Sequence, residues 1–403
     1  MALLRHPDFV KLWVGQTISE IGSRITREGL PLTAVLLLAA TPAQMGLLSA
    51  LGSASVVLFG LAAGVLVDRL RRRPVMIAAD LGRAALLATI PLAAAMHRLS
   101  FTQLLIVGAS AGILTVVFDV AYQSYLPVLL ERDLLLEGNR RLGMSAATAE
   151  ILGPGLTGVL VQLITAPIAV LLDAISFLIS AISVSIIRKP EPAAAPATGV
   201  PLKQEIFEGA RLIAAHPILR ALATRSAIAF LFAGLSFSLY VLYAIRTLHM
   251  STVAFGFTIA LGGAGALVGS YFADRISRRF GLGRSFFASA LLTGTVNLLI
   301  PLAASYPRFA VLFLGASQFF GDSAWAVYMV NETTLRQRVT ADHVLGRVNA
   351  AMQLASRGVI PVGALIGGFL GSGIGIPATL WIGGAGLLAS CLCLLPVLKF
   401  HTE

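Results

Sequence analysis

Glu20, Arg24, Arg27 and Glu28 interrupt a run of otherwise small and apolar residues near the start of the chain. At 100° per residue the four fall on one narrow stripe of a helix. Glu20–Arg24 and Arg24–Glu28 have the i,i+4 spacing at which opposite charges meet. Acids and bases held partly out of water do proton chemistry, because desolvation lets a carboxyl group exchange its proton near neutrality. Asp119, with Thr115, Tyr122 and Gln123 close to its face, offers the same chemistry from a second apolar run. We read Glu20 and Asp119 as equal candidates for a proton carrier, with Arg24, Arg27 and Glu28 as their charged surroundings. The competing readings are a neutralised ladder that locks one helix to a neighbour, and a structural carboxylate hydrogen-bonded to backbone or serine.

A second constellation is aromatic. Phe230, Phe237, Tyr240 and Tyr243 share one run, while Asp322, Trp325, Met329 and Glu332 recur along a face of another, with Tyr328 and Asn331 beside it. A wall of rings with a few polar groups suits a bulky, partly apolar ligand. Taken singly, each of these side chains fits ordinary helix packing as well. Glu150, Asp173 and Arg357 are further charges within apolar runs. No His/Cys cluster has metal-ligand spacing and no P-loop is present, so neither a metal, a cofactor nor ATP hydrolysis is expected. Cys391 and Cys393 are two residues apart and face different directions on a helix, which rules out a disulfide.

The elements that must position these residues are long apolar helices. Hydrophobic residues make up 57% of the 403 and charged residues only 12%, about half the charge of a soluble domain. Runs long enough to cross a bilayer fall at about 10–38, 45–67, 74–97, 101–127, 140–164, 167–187, 217–245, 252–273, 284–304, 308–334, 343–371 and 377–398. Only helices satisfy their backbone in lipid one segment at a time, so the expected fold is an all-α polytopic membrane protein with twelve spans. The net charge of +11 is a topology signal, since Lys and Arg gather in alternate connections. One set holds Arg69, Arg71, Arg72, Arg73, Arg132, Arg140, Arg141, Arg188, Lys189, Lys203, Arg211, Arg275, Arg278, Arg279, Arg284, Arg336, Arg338 and Arg347, and the other only Arg98, Arg246 and Arg308. The positive-inside rule then puts both termini in the cytoplasm, and nucleic acid is excluded as a partner. Residues 1–13 contain no separate short apolar segment with a cleavage site.

A Pro/Ala-rich stretch after Lys189 cannot span, and Ile206, Phe207, Ala210 and Ile213 after it read as a short amphipathic helix lying on the membrane face. The expected organisation is a six-helix bundle over 1–188, a linker over 189–216 and a second bundle over 217–403. An internal repeat supports the halves. Asp68-Arg69 recurs as Asp274-Arg275 at an offset of 206, Gly108-Ala109-Ser110 as Gly315-Ala316-Ser317 at 207, and Pro154 as Pro361 at 207, which pairs Glu150 with Arg357. Two parallel six-helix halves with a pore at their junction is the architecture such a repeat implies. Glu150 and Arg357 are expected to have separate local partners.

At this point the sequence resembles the major facilitator superfamily. The stretch Gly64-Val-Leu-Val-Asp68-Arg69-Leu-Arg71-Arg72-Arg73-Pro is similar to that superfamily's signature, departing at Arg71 where the pattern has a second glycine. Gly153-Pro154 through Gly158 resembles the Gly-Pro motif of its exporters. Residues 118–127, 172–180, 335–350 and 360–368 look like the enterobactin-exporter-like, drug-efflux branch. The resemblance implies a secondary transporter in a bacterial inner (plasma) membrane that exports siderophore-like or drug-like small molecules by proton antiport. Its expected partners are a small-molecule substrate, protons and the lipid bilayer, with the chain a monomer and not an enzyme. An uptake symporter of an organic acid or other small nutrient is the alternative. The resemblance also makes Gly64, Asp68, Arg69, Arg72, Asp274 and Arg275 a cytoplasmic gate. Asp80 and Arg83, three residues apart in span 3, are read as structural support for that turn, and Gly153, Pro154 and Gly158 as a helix-packing motif with a bend. It places the span 1 stripe against the central cavity. Span 4 holds no Arg or Lys, so the basic partner of a coupling acid is expected from elsewhere, with Arg24 and Arg27 as candidates.

Overall fold

The computed structural model describes Leu3 and residues 6–191 and 202–398, and these are all-helical apart from turns. The helices are α1 Pro7–Leu36, α2 Pro42–Asp68, α3 Arg72–Ala95, α4 Phe101–Leu129, α5 Leu135–Ile164, α6 Ala166–Ser185, α7 Leu202–Ala215, α8 Pro217–Leu242, α9 Thr252–Phe280, α10 Leu282–Asn297, α11 Leu299–Leu302, α12 Ala310–Val339, α13 Asp342–Arg357, α14 Ile360–Gly373, α15 Ile376–Ala389 and α16 Leu395–Leu398. Local chemistry sets several starts. His6 Nδ1 accepts from the backbone N–H of Phe9 at 3.1 Å ahead of Pro7, and Ser100 accepts from that of Gln103 at 3.2 Å, each satisfying a donor that a helix N-terminus leaves free.

Among the described residues, ten helical segments are long and apolar enough to cross a membrane. Two further helices, α1 and α12, are each 30 residues long. These two carry the charges picked out from the sequence, Glu20 to Glu28 on α1 and Asp322 to Arg338 on α12.

The chain forms two compact units. Unit 1 comprises Met1–Ala40, Leu51–Thr198 and Ser251–Gly256, and unit 2 comprises Thr41–Ala50, Gly199–Met250 and Phe257–Glu403. In unit 1, α6 packs along both α1 and α3, and α1 also packs on α5. The α1–α6 seam is built on glycines seven residues apart, two helical turns. Gly15 faces Ser180 and Ser183, Gly22 faces Asp173 and Ser176, and Gly29 faces Val170. Small residues let helix backbones approach in lipid, where close contact replaces the hydrophobic drive to associate.

In unit 2, α8 packs against α14 and α15, and α10 against α12. Here the close approaches reach backbone. A Cβ on Gly363 would lie 2.0 Å from the Leu231 carbonyl oxygen, and one on Gly234 would lie 2.5 Å from that of Ile360. Helix α7 lies on α13, with Glu208 paired to Arg347 at 2.7 Å. Ile213 is buried in the unit 2 core while Phe207 is 67% exposed. The linker preceding α7 falls outside the described residues.

The helix ends depart from expectation in instructive ways. The run expected over 343–371 breaks into α13 and α14 at Gly358–Val359, just ahead of Pro361. The missing N–H of Pro361 would have left the Arg357 carbonyl without a partner. Its repeat counterpart Pro154 lies inside the unbroken α5. Pro301 likewise separates α11 from α10, and the last run gives way to a 3-10 turn over Ser390–Leu394. Asp274 and Arg275, expected in a turn like Asp68-Arg69, are helical, because α9 runs on to Phe280 and stops only at Gly281, whose φ of +80° suits glycine. After Asp68 the chain does turn, since Pro74 cannot continue a helix from the preceding residues.

Candidate functional site

Two charge clusters occupy unit 1. The first joins α1 to α5. Arg24 forms an ion pair with Glu150, Arg27 reaches the same carboxylate at 3.3 Å, Glu20 lies 3.8 Å from Arg24, and Glu28 lies 3.8 Å from Arg27. The stripe inferred from spacing is therefore a ladder whose anchor lies on another helix. Gly153 makes room for it, because a Cβ there would meet that of Arg24 at 2.4 Å. Glu150 is about 20 Å from either end of α5 at 1.5 Å per residue. Even so, its side chain is 44% exposed, with Glu20 at 40% and Arg27 at 57%. Charges at that depth cost from about 3 kcal/mol upward in hydrocarbon, and the Glu150, Glu20 and Arg27 side chains keep accessible surface.

Pro154 and Gly158 have a different neighbour. Thr252 Oγ1 donates to the Gly158 carbonyl at 2.9 Å, and a Cβ on Gly256 would lie 2.3 Å from the Pro154 carbonyl oxygen. The Gly-Pro motif thus packs Ser251–Gly256, the start of α9, into unit 1.

The second cluster is dry. Arg83 of α3 is 3% exposed and Asp80 is fully buried. Arg83 Nη2 pairs with Asp80 Oδ1, and Nη1 donates to Thr115 Oγ1 at 3.3 Å. The guanidinium carbon lies 4.0 Å from the ring centre of Phe177 and 4.5 Å from that of Phe118, a double cation–π contact. Asp80 and Arg83 were expected to brace the turn before α3. They lie inside α3, as expected, more than two turns from its start, where Arg83 contacts α4 and α6. The basic group facing Asp119 is this same Arg83, which replaces Arg24 and Arg27 as the expected partner, since both are taken up by Glu150. Asp119 itself is exposed. Asp173 of α6 is 1% exposed, and its Oδ1 accepts from Ser176 at 2.9 Å.

Unit 2 presents rings in place of acids. A cavity of about 220 Å³ is lined by Phe230, Phe237, Tyr240, Asp322 and Trp325, with the amides of Asn297 and Gln318 among its polar groups. Trp325 and Phe230 meet edge to face at 5.4 Å. Gly262 leaves room for Asp322, whose Oδ2 would be 2.2 Å from a Cβ there. Tyr328 and Met329 were expected in this wall and are absent from it. Tyr328 is fully buried and stacks on Phe286 at 4.5 Å, and Met329 packs against the unit 2 core. A helix turns 100° per residue, so positions three and four beyond Trp325 flank its face, and neighbouring helices close over them.

Behind Trp325 lies a residue that the sequence reading passed over. Arg225 is fully buried, 3.7 Å from the ring centre of Tyr328 and 5.4 Å from that of Trp325. Among the described residues none of its three side-chain nitrogens has a hydrogen-bond partner of acceptable geometry. Its position near the start of an apolar run makes it look like the tail of the basic cluster at Arg211 and Arg220. Its depth, two turns past Pro217, was the available signal.

Of the other expected sites, Arg357 is exposed on α13. At the expected gate, Glu191 receives the backbone N–H groups of Arg72 and Arg73 at 2.6 and 3.1 Å and lies 3.7 Å from the Arg72 guanidinium. A carboxylate capping a helix N-terminus in this way is favoured by the helix dipole. Arg69 is exposed, Asp274 pairs with Arg278 in solvent, and Arg275 lies 5.9 Å from the Phe272 ring centre. The surroundings of Gly64 and Asp68 fall outside the described residues. Among the described residues no group of three or more His, Cys, Asp or Glu could hold a metal ion.

Membrane-length apolar helices that carry charges at mid-depth, together with a ring-lined cavity, are the features of a transporter. The transmembrane secretion effector family matches residues 1–401, and the chain belongs to it. The chain is 25% identical over 343 residues to the multidrug efflux pump Tap of Mycolicibacterium fortuitum, covering 81% of this chain and 80% of that protein. Solved structures with this fold include a bacterial homologue of the iron transporter ferroportin in an inward-facing state (TM-score 0.80, 17% identity, 99% of this chain and 100% of that one) and a mutant of the nucleoside transporter NupG (TM-score 0.78, 10% identity, 97% and 100%). The family and the structural neighbours are membrane transporters, not enzymes.

Proposed function

We propose that the protein is a secondary exporter of drug-like or siderophore-like small molecules, working by alternating access and driven by proton antiport. The observation that carries this reading is the Glu20/Arg24/Arg27/Glu150 site, charged and solvent-open on two helices of membrane length. Ionised groups remain at such depth only where they border water, and a transporter must provide a water route. The efflux relative supports the outward direction, and the ring-lined cavity with Asp322 supports a partly apolar cargo. In this reading α1 and α12 also cross the membrane, making twelve spans in two six-helix bundles of a monomer. Both termini are then cytoplasmic, and the membrane is the bacterial inner membrane.

The test is transport by the purified full-length protein in proteoliposomes, with an imposed pH gradient and a panel of amphiphilic drugs and siderophores. An acidic lumen should drive accumulation of a transported compound. Accumulation only under the opposite gradient would indicate a symporter, and flux indifferent to the gradient would reject proton coupling.

A further inference from the structure

The dry cluster of unit 1 does not balance its charges. One guanidinium, Arg83, faces three carboxylates: Asp80 beside it on α3, Asp119 on α4 and Asp173 on α6. Asp80 takes the direct ion pair. Asp119 keeps accessible surface and faces Glu20 as well as Arg83. Asp173 has neither remedy. It is 1% exposed, and among the described residues its side chain makes no ion pair and accepts a hydrogen bond from Ser176 alone.

The surroundings of Asp173 are small and uncharged on every side but one. From α1 come Gly22 and Thr26, and the Thr26 hydroxyl faces the carboxyl group without reaching hydrogen-bond geometry, leaving both Thr26 Oγ1 and Asp173 Oδ2 unpartnered. The charged groups facing Asp173 are Asp80 and Arg83, both from α3. The basic residues of α1, Arg24 and Arg27, are held by Glu150 on α5 and are unavailable to it. A bare carboxylate desolvated in this way costs several kcal/mol, whereas a neutral carboxyl group fits the cradle that Gly22 leaves open.

We propose that Asp173 holds a proton on Oδ2 in this structure and is the residue that takes up and releases the coupling proton, with Arg83 as the cation that receives the carboxylate once the proton has left. The step is a plain acid dissociation. The O–H bond on Oδ2 breaks, its electron pair stays on the carboxylate, and the proton passes to water entering beside the exposed Asp119. Arg83 already faces Asp80, Asp119 and Asp173, so ionisation of Asp173 gives the guanidinium a further anion and pulls α6 toward α3, away from the Gly22 seam with α1. The direction of transport and the cargo play no part in this assignment, which rests on the proton-driven reading above only for the word coupling.

Infrared difference spectroscopy of the purified full-length protein, titrated between acidic and alkaline pH without any substrate, tests the assignment. The wild type should show the C=O stretch of a protonated carboxylic acid at neutral pH that disappears on alkalinisation. Asp173→Asn should remove most of that band, and Asp173→Glu should keep it at a shifted frequency, while Glu20→Gln and Asp119→Asn leave it in place. Absence of the band in the wild type at neutral pH would overturn the proposal, as would its full persistence in Asp173→Asn or its loss in Asp119→Asn. Failure of proteoliposome transport to respond to a pH gradient, with the band behaving as stated, would sink the antiport reading and leave the protonated Asp173 standing.

Discussion

Each unit buries one arginine among aromatic rings, and the two are compensated in opposite ways. In unit 1, Arg83 lies between Phe118 and Phe177 and has Asp80, Asp119 and Asp173 around it. In unit 2, Arg225 lies against Tyr328 and Trp325. Glu332 faces Arg225 but makes its direct ion pair with Arg336, from which it accepts at 3.1 Å. The rings do the same work in both places, replacing water around a flat cation. Unit 1 therefore has carboxylate to spare, and unit 2 has N–H donors to spare. Under the proposed proton antiport, protons would be handled in the acid-rich unit and cargo would meet the ring-lined cavity of unit 2.

The contrast is exposed most sharply by truncating the unit 1 pair. Asp80→Ala removes the direct ion pair of the buried Arg83, and the cost expected for breaking such a pair is about 3–5 kcal/mol. It should appear as a large drop in the thermal midpoint of the detergent-solubilised protein, and a midpoint close to wild type would mean that Arg83 is already satisfied by other groups. Next come the glycine seams. Gly363→Ala drives a methyl group into the backbone carbonyl of Leu231, whereas Gly22→Ala meets side-chain atoms of Ser176 and Asp173, the nearest being the Ser176 hydroxyl and an Asp173 carboxylate oxygen. Overpacking costs roughly 1–3 kcal/mol, with the larger loss at Gly363, where backbone cannot turn aside. Equal losses would show that the α1–α6 seam is as rigid as the α8–α14 contact.

Arg225→Met should behave unlike any unit 1 change. No hydrogen bond is lost, and a buried charge is replaced by an apolar chain of similar length. The thermal midpoint is expected to hold or rise, by about 1 kcal/mol in stability, and a drop matching Asp80→Ala would erase the distinction between the two arginines. The smallest stability effect belongs to Glu150→Gln. Its ion pairs are open to solvent, where such contacts contribute about 1 kcal/mol or less, so the folded protein should survive and any loss should appear in gradient-driven flux. Strong unfolding of Glu150→Gln would place this cluster with the dry one.

Much of this was legible in the sequence, for identifiable reasons. Apolar runs, proline starts and the basic connections are local signals, and so is the i,i+4 stripe on α1. The repeat at Pro154 and Pro361 was legible as well, but its consequence was not. A proline can be absorbed by neighbours, as in α5, or can end a helix, as ahead of α14, and packing decides which. The anchor of the α1 stripe is Glu150, 126 residues from Arg24, and no spacing rule reaches that far. Arg83 read as turn support because its real neighbours, Thr115, Phe118 and Phe177, come from two other helices. Arg225 was hidden by its proximity to a basic stretch whose charges are common at span ends. Sequence periodicity shows which side chains share a face, and only the packed bundle shows what that face meets.

The account stands or falls on whether water reaches the α1–α5 charges. After Cys391 and Cys393 are replaced by alanine, single cysteines at Glu20→Cys, Glu150→Cys and, as a dry reference, Ser180→Cys can be exposed in native membrane vesicles to a charged, membrane-impermeant methanethiosulfonate. Rapid labelling at positions 20 and 150 with none at 180, which is fully buried, is the expected result. If positions 20 and 150 prove as inert as 180, those charges are sealed and no aqueous route passes them.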